Sequence, residues 1–383
     1  MTRNLFLSIV FFCAVLSAGA QTQTIRTVLQ PYTDRGDLPG IVTVIARPDK
    51  IISIECFGYQ DIAKNRKMAS DALFWVASQS KPVTATAVMM LVDEGKLSLD
   101  EPVTTYLPEL GRMLVSRVRR DGWQVEERLD KPITLRHLLS HTSGMQYQAG
   151  VQQQMGKIDA LPSYLSVYVT AMTPLLYEPG ERYNYSNQGI NIAATIVERV
   201  SGIPFEEFLQ KRLFDPLDMK SATFWPAEKQ LEKLALPYKM NENGKLSETP
   251  ITFFQYPLSD RTKRYAEAGG GLFCTPDDWV KFFQMIAGKG VFKGKRLLSE
   301  TAVAEMSKKQ TGERVTQPYG LGWHVSDVGM GHSGAYGTDS YIYTKEGLVV
   351  MYFILQQDIP KAGEAIQAFH NVVYELYGVK RSQ

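Results

Sequence analysis

The feature that most limits the folds open to this chain is the way strand patterns gather at its two ends. Near the start, two β-rich runs, Ile41–Ala46 and Ile51–Phe57, flank the turn Pro48-Asp49-Lys50, the pattern of a hairpin. Near the end, Leu348–Gln356 is almost wholly apolar, running Val349-Val350-Met351-Tyr352-Phe353-Ile354-Leu355, as a buried strand requires. The β-rich Tyr341–Tyr343 precedes it across the turn Lys345-Glu346-Gly347. Helical spacing brackets these runs. Ile25, Val28 and Leu29 mark a short helix over 23–30 that ends near Pro31, and Ala365, Ile366, Phe369, Val372, Val373 and Leu376 mark another over 362–377. The middle, roughly 85–240, reads as mainly helical, for example over Gln188–Val200 and Phe205–Leu213. The expected fold is therefore α/β of the α+β kind: an antiparallel sheet built from both chain ends and flanked by helices. The sheet-bearing parts are 21–84 and 241–383, a helical subdomain is inserted over 85–240, and 21–383 form one domain. The charged segment Arg112–Lys131, which carries Trp123, reads as a solvated surface hairpin.

Residues 1–20 stand apart. Arg3 is followed by an apolar run from Leu5 to Leu16, too short to span a bilayer, and then by the small residues Ser17-Ala18-Gly19-Ala20. This is the pattern of a signal peptide cut before Gln21, and it predicts an exported protein, periplasmic or secreted, with no stable membrane insertion after cleavage. The formal net charge is +2 with 21% charged residues, so no basic stripe points to a nucleic acid. Beyond the leader only Cys56 and Cys274 remain. That excludes a disulfide scaffold or a cysteine-rich metal site and leaves open whether the two pair.

Three short motifs carry chemistry. In Ser78-Gln79-Ser80-Lys81 the serine and lysine are three apart and share a helix face. Pro82 is tolerated only in a first turn, so the helix should start near Ser78 and leave it at the positive end. A desolvated Lys81 sheds its proton more readily and can act as base. In Tyr185-Ser186-Asn187, a phenol near that ammonium is expected to have a lowered pKa, to relay the serine proton and to protonate a leaving group. Asn187 can contact substrate or Lys81. In Gly331-His332-Ser333-Gly334-Ala335, the Ala335 amide on an edge strand can pair with the Ser78 amide as an oxyanion hole. His332 is expected to face the cleft and either orient the substrate or help proton transfer. Tyr183 reads as packing.

In this order the motifs resemble the serine β-lactamase-like superfamily, to whose class A and penicillin-binding members the Ser-x-x-Lys signature also belongs. With Tyr-Ser-Asn second, the chain is most similar to the class C branch and its related carboxylesterases and D-amino-acid peptidases. Leu138-Leu139-Ser140-His141-Thr142-Ser143-Gly144, Glu178-Pro179-Gly180, Gly269-Gly270-Gly271-Leu272 and Tyr319-Gly320-Leu321-Gly322-Trp323 resemble that branch as well. The resemblance covers roughly 24–378. It implies a serine hydrolase of the penicillin-binding-protein-like kind, cleaving esters or amides of small-molecule or peptide acyl substrates. Ser78 would be the acylated nucleophile, with Lys81 and Tyr185 catalytic and Asn187, His332, Ser333, Gly334 and Ala335 binding substrate. No cofactor or metal is implied. Carboxylesterase or D-amino-acid, peptidoglycan-type peptidase activity fits best, because His332 stands where class C β-lactamases carry lysine. The alternatives are a class C-like β-lactamase, or an acyltransferase using the same acyl-enzyme.

Other readings are weaker. The third motif has the outline of a Gly-x-Ser-x-Gly elbow, but it ends in Ala335, and too little chain follows to build that fold. His137 and His141 have helical zinc spacing, but Leu138 stands where the catalytic glutamate belongs. A non-catalytic binding module would have no need of all three catalytic side chains. The loop Gln146–Lys157, the segment near Trp123 and Phe253–Tyr265 are the expected pocket walls.

Overall fold

In the computed structural model, which describes residues 23–313 and 315–379, the early β-rich runs close on each other and on the late apolar one. With only the principal elements numbered, the chain runs α1 (Ile25–Asp34), β1 (Gly40–Arg47), β2 (Lys50–Asp61), β3 (Arg66–Lys67), α2 (Ser80–Asp93), α3 (Asn187–Ser201), α4 (Pro276–Ala287), β4 (His324–Val325), β5 (Gly329–Ser333), β6 (Asp339–Tyr343), β7 (Leu348–Phe353) and α5 (Pro360–Tyr377). The sheet has seven strands in the order β4-β5-β6-β7-β1-β2-β3, and every neighbouring pair is antiparallel. β1 is central: Val42 lies opposite Phe353 on one side and Cys56 on the other. The expected leader over 1–20 lies outside the described residues.

Why β7 reads as an unbroken apolar run is clear from its two faces. Leu348, Val350 and Tyr352 join Ile41 and Ile45 of β1 against Ile25 and Leu29 of α1 and Phe369, Val372 and Val373 of α5. Val349, Met351 and Phe353 turn the other way, with Val42 and Val44, onto Phe282 and Phe283 of α4 and the larger core beyond. A strand covered on both faces cannot alternate polar with apolar, because both sets of side chains are buried.

Helix α1 does not stop at Pro31, as the sequence suggested, but continues to Asp34. A proline inside a helix costs about 3 kcal/mol. Burial of Ile25, Leu29 and Thr33 against the sheet offsets it, at about 1.5–3 kcal/mol for each large apolar side chain. The middle of the chain is less helical than its pattern. Its helices include Leu135–Leu139, Gly150–Met155, Ser163–Ala171 and α3, and Phe205–Leu209 passes into a wider π turn over Gln210–Phe214. The segment containing Trp123 is a two-stranded hairpin, Leu114–Val118 with Gln124–Arg128, and Trp123 is exposed. Cys56 and Cys274 are both free thiols. No helix among the described residues is long and apolar enough to cross a membrane.

Phe353 joins the sheet to the approach to Ser78, its ring 5.4 Å from that of Phe74. Phe353→Ala should lower unfolding stability by about 3–5 kcal/mol, read from the urea midpoint. An unmoved midpoint would remove this contact from the core.

Candidate functional site

The start of α2 is clasped by the segment 266–274. Phe74–Trp75 pairs with Phe273–Cys274, and Val76 N–H bonds to Leu272 O. Trp75 Nε1 donates to Gly270 O at 2.6 Å, Thr84 Oγ1 to Ala268 O at 2.8 Å, and Leu272 N–H to Ser80 Oγ at 3.1 Å. A single 3-10 turn, Ala77–Gln79, leads into α2, and Ala77 is held at φ 50°. That conformation is rare for a residue with a Cβ, and it marks a turn that the surroundings impose. Ser78 follows it, half-buried between neighbours that are buried.

Lys81 is buried and lies one turn along from Ser78. Its Nζ donates to Ser78 Oγ at 3.1 Å and to Gly269 O at 2.5 Å, and stands 4.5 Å from the centre of the Tyr185 ring. Burial pulls its pKa down to about 7, against the opposing pull of the Glu267 charge. Tyr185 lies beside both, near enough for the Ser78 hydroxyl to act on its phenol, so the serine hydroxyl, the amine and the phenol converge. The direction of the phenol's shift corrects the sequence reading. Burial pushes Tyr185 upward, and the neighbouring Ser78 hydroxyl only partly offsets it. Removing solvent disfavours the phenolate, and the nearby Tyr183, Tyr147 and Glu267 push the same way.

Tyr185 and Asn187 flank the cap of α3: Ser186 Oγ accepts from Gly189 N–H at 2.9 Å. Asn187 Nδ2 donates to Tyr147 Oη at 3.2 Å, which makes the loop 146–157 a wall of the site, and Asn187 Oδ1 has no partner. Phe253 and Phe254, from the segment expected to form another wall, pack with Tyr336 on the buried Trp75. Trp123 belongs instead to the surface hairpin, which Arg117 ties to Asp130 and Glu178.

On β5 the ladder with β4 ends at Gly331, so His332 and Ser333 run past their short neighbour. Gly334 then meets the turn before Ser78. A Cβ there would lie 2.4 Å from Val76 O, so only glycine allows this approach. Ser333 and Ala335 are exposed, but His332 is only 3% exposed. Alternation along the strand turns His332 inward where Ser333 turns outward. The expectation that His332 faces the cleft is therefore corrected, since both its ring nitrogens are engaged inside.

Those engagements form a directed chain. Ser186 N–H donates to His141 Nδ1 at 3.2 Å, so the neutral ring carries its proton on Nε2. His141 Nε2–H donates to Tyr319 Oη at 3.3 Å, Tyr319 O–H donates to His332 Nε2 at 3.0 Å, and His332 Nδ1–H donates to Ser333 O at 2.7 Å. The chain links the Tyr185 loop to the end of β5 at Ser333; Ala335, expected on an edge strand, instead begins a 3-10 turn just beyond it. That chain requires both imidazoles to be neutral, and burial holds both well below the usual histidine range. His137, the other half of the candidate zinc pair, is occupied with Thr134 at the start of its own helix. Among the described residues no cluster of three or more His, Cys, Asp or Glu is arranged to hold a metal.

Sequence reasoning missed Glu267. It is buried beside the glycine run, and burial raises its pKa to about 7. A Cβ on Gly269 would stand 2.9 Å from Glu267 Oε1 and from Asn187 Cγ, so the glycine run lets the backbone pass between these groups. The only signal in the sequence is an acid placed directly before Ala268 and three glycines. Tyr319 was visible in a motif, but not as the link between two histidines.

The chain matches the beta-lactamase family over residues 25–370 and belongs to it. It is 31% identical over 283 residues to Protein Rv1367c of Mycobacterium tuberculosis, covering 73% of this chain and 69% of that one. It is 29% identical over 308 residues to Esterase EstB of Burkholderia gladioli, covering 75% and 74%. The structure of EstCE1, described as a hydrolase with promiscuous acyltransferase activity, superposes with a TM-score of 0.76 at 22% identity over 91% of this chain and 97% of that one. The protein is thus a serine hydrolase of the β-lactamase and penicillin-binding-protein-like family, which acts on ester or amide bonds.

Tyr319→Phe leaves two buried imidazole nitrogens unpartnered. It should cost about 1–3 kcal/mol of stability, measured by chemical denaturation. An unchanged midpoint would show that the chain contributes nothing.

Proposed function

We propose that the protein is a carboxylesterase-type hydrolase that works through an acyl-enzyme on Ser78. The observation that carries this reading is the Ser78 hydroxyl itself, hydrogen-bonded to a buried Lys81 amine with the Tyr185 phenol beside both. Lys81 accepts the Ser78 proton as Oγ attacks the substrate carbonyl carbon. The oxyanion forms between the backbone amides of Ser78 and Ala335. Tyr185, protonated at the outset, gives its proton to the leaving group and is resupplied from Lys81. Water then replaces the leaving group, and the same groups act in reverse to release the acid. Asn187, Ser333 and Gly334 border the carbonyl and hold the acyl part.

The absence of a lysine at position 332 supports esters and amides over β-lactams, whose carboxylate calls for a permanent cation there. The name of EstB supports the ester reading, and that of EstCE1 supports transfer to an added alcohol as a side reaction. A D-amino-acid peptidase would use the same groups. The leader-like residues 1–20 alone support an exported protein, periplasmic or secreted.

Mass spectrometry after exposure to a fluorophosphonate should find one adduct, on Ser78, and none in Ser78→Ala. A folded wild-type protein that stays unlabelled would sink the proposal. Lys81→Ala and Tyr185→Phe should each lower kcat/KM on a p-nitrophenyl ester by about 10²–10⁴-fold. Near-normal rates in both would remove their roles.

Lys81 needs its lone pair, and burial puts its pKa at about 7. Activity should therefore fall as pH drops through about 7, where the amine becomes ammonium, and should be steady above it. A profile flat to well below neutrality would exclude Lys81 as the base.

A further inference from the structure

Each residue whose amide would form the oxyanion hole adjoins one in the left-handed region. Ala77, at φ 50°, precedes Ser78, and Tyr336, at φ 69° and ψ 6°, follows Ala335. A bulky aromatic residue rarely adopts that conformation, and it persists only where the surroundings over-determine it. For Ala77 the surroundings are the clasp around the start of α2. For Tyr336 they are the contacts of its own side chain.

The Tyr336 ring packs edge-on against Trp75, centre to centre at 5.2 Å, on the approach to Ser78. Its Oη is held from two directions. The Pro250 carbonyl can only accept, so the phenol spends its proton there, at 3.3 Å, and accepts from Gln357 Nε2. The Gln357 oxygen is then left for Thr249 Oγ1, which donates to it at 3.2 Å. Gln357 belongs to the short strand Gln356–Gln357, which pairs with Tyr238–Met240. One side chain thus ties the turn to three separate pieces of chain. The turn also closes on itself, by Gly334 N–H to Thr338 O at 2.7 Å and Gly337 N–H to Gly334 O at 3.2 Å. Ala335 is caught between the bonded Gly334 and the anchored Tyr336.

We infer that Tyr336 is a positioning residue that holds the Ala335 amide at the angle an oxyanion needs. The inference rests on the Ser78 acyl-enzyme reading. A donor of this kind is effective only when it is already aimed at the place where charge develops. A donor carried on a turn can swing away unless something beyond the turn holds it. Tyr336 supplies that hold through the backbone of its neighbour, and no proton passes through its phenol. Its left-handed φ is what Trp75, Pro250 and Gln357 together keep in place.

The test compares a p-nitrophenyl ester with its thionoester in wild type and Tyr336→Phe. Sulfur accepts hydrogen bonds more weakly than oxygen, so the ratio of the two kcat/KM values reports the hole itself. Phenylalanine keeps a ring against Trp75 and loses both bonds at Oη. The oxygen ester should slow by about 10-fold, and the oxygen-to-sulfur ratio should fall with it. Lys81→Ala supplies the contrast, since loss of the base slows both esters alike. A Tyr336→Phe variant with wild-type rates, or one that slows both esters by the same factor, overturns the inference. Should that variant not fold, Gln357→Leu removes one Oη partner from outside the turn. Its ratio should move the same way, and an unmoved ratio again overturns the inference. Wild-type protein that takes no fluorophosphonate adduct on Ser78 overturns the acyl-enzyme reading and this inference with it, whereas an adduct with an unmoved ratio overturns this inference alone.

Discussion

A lysine amine held out of water beside a serine hydroxyl is the constraint around which the rest of this protein is arranged. An ammonium buried without compensation is costly, and the fold answers by offering Lys81 two acceptors, Ser78 Oγ and Gly269 O. Supplying the second acceptor requires the 266–274 segment to lie hard against α2. The bonds from Trp75, Thr84 and Leu272 bring it there. The same clasp shapes the turn at Ala77 and leaves Ser78 the accessible atom in a buried neighbourhood.

Much of this was readable from local pattern. The hairpin of β1 and β2, the run that became β7 and the helix α5 all announce themselves through periodicity. Ser78 and Lys81 announce themselves through spacing and through Pro82. What escaped the sequence depends on burial by distant chain. Pro31 reads as a stop until the sheet beneath α1 is known. The phenol of Tyr185 reads as acidified until its desolvation is counted. His332 reads as a cleft residue until the strand's alternation assigns it inward. Glu267 has no local signature, because its significance lies in what α2 and α3 bring alongside it.

The histidine–tyrosine chain adds a second level of order. Each member donates to the next, from Ser186 through His141 and Tyr319 to His332 and Ser333. Two loops that arise far apart in the sequence are thereby fixed in relation to each other by neutral groups. Position 332 contributes shape and direction to the site rather than charge.

The central place of β1 also governs how the protein can be made. Its hairpin partner β2 follows at once, but its other neighbour, β7, comes only after residues 62–347. Until then the inner edge of β1 stays open, with Val42, Val44 and Ile45 uncovered on its faces. Closure depends on a contact of very long sequence separation, the kind that slows folding and exposes a nascent chain to aggregation.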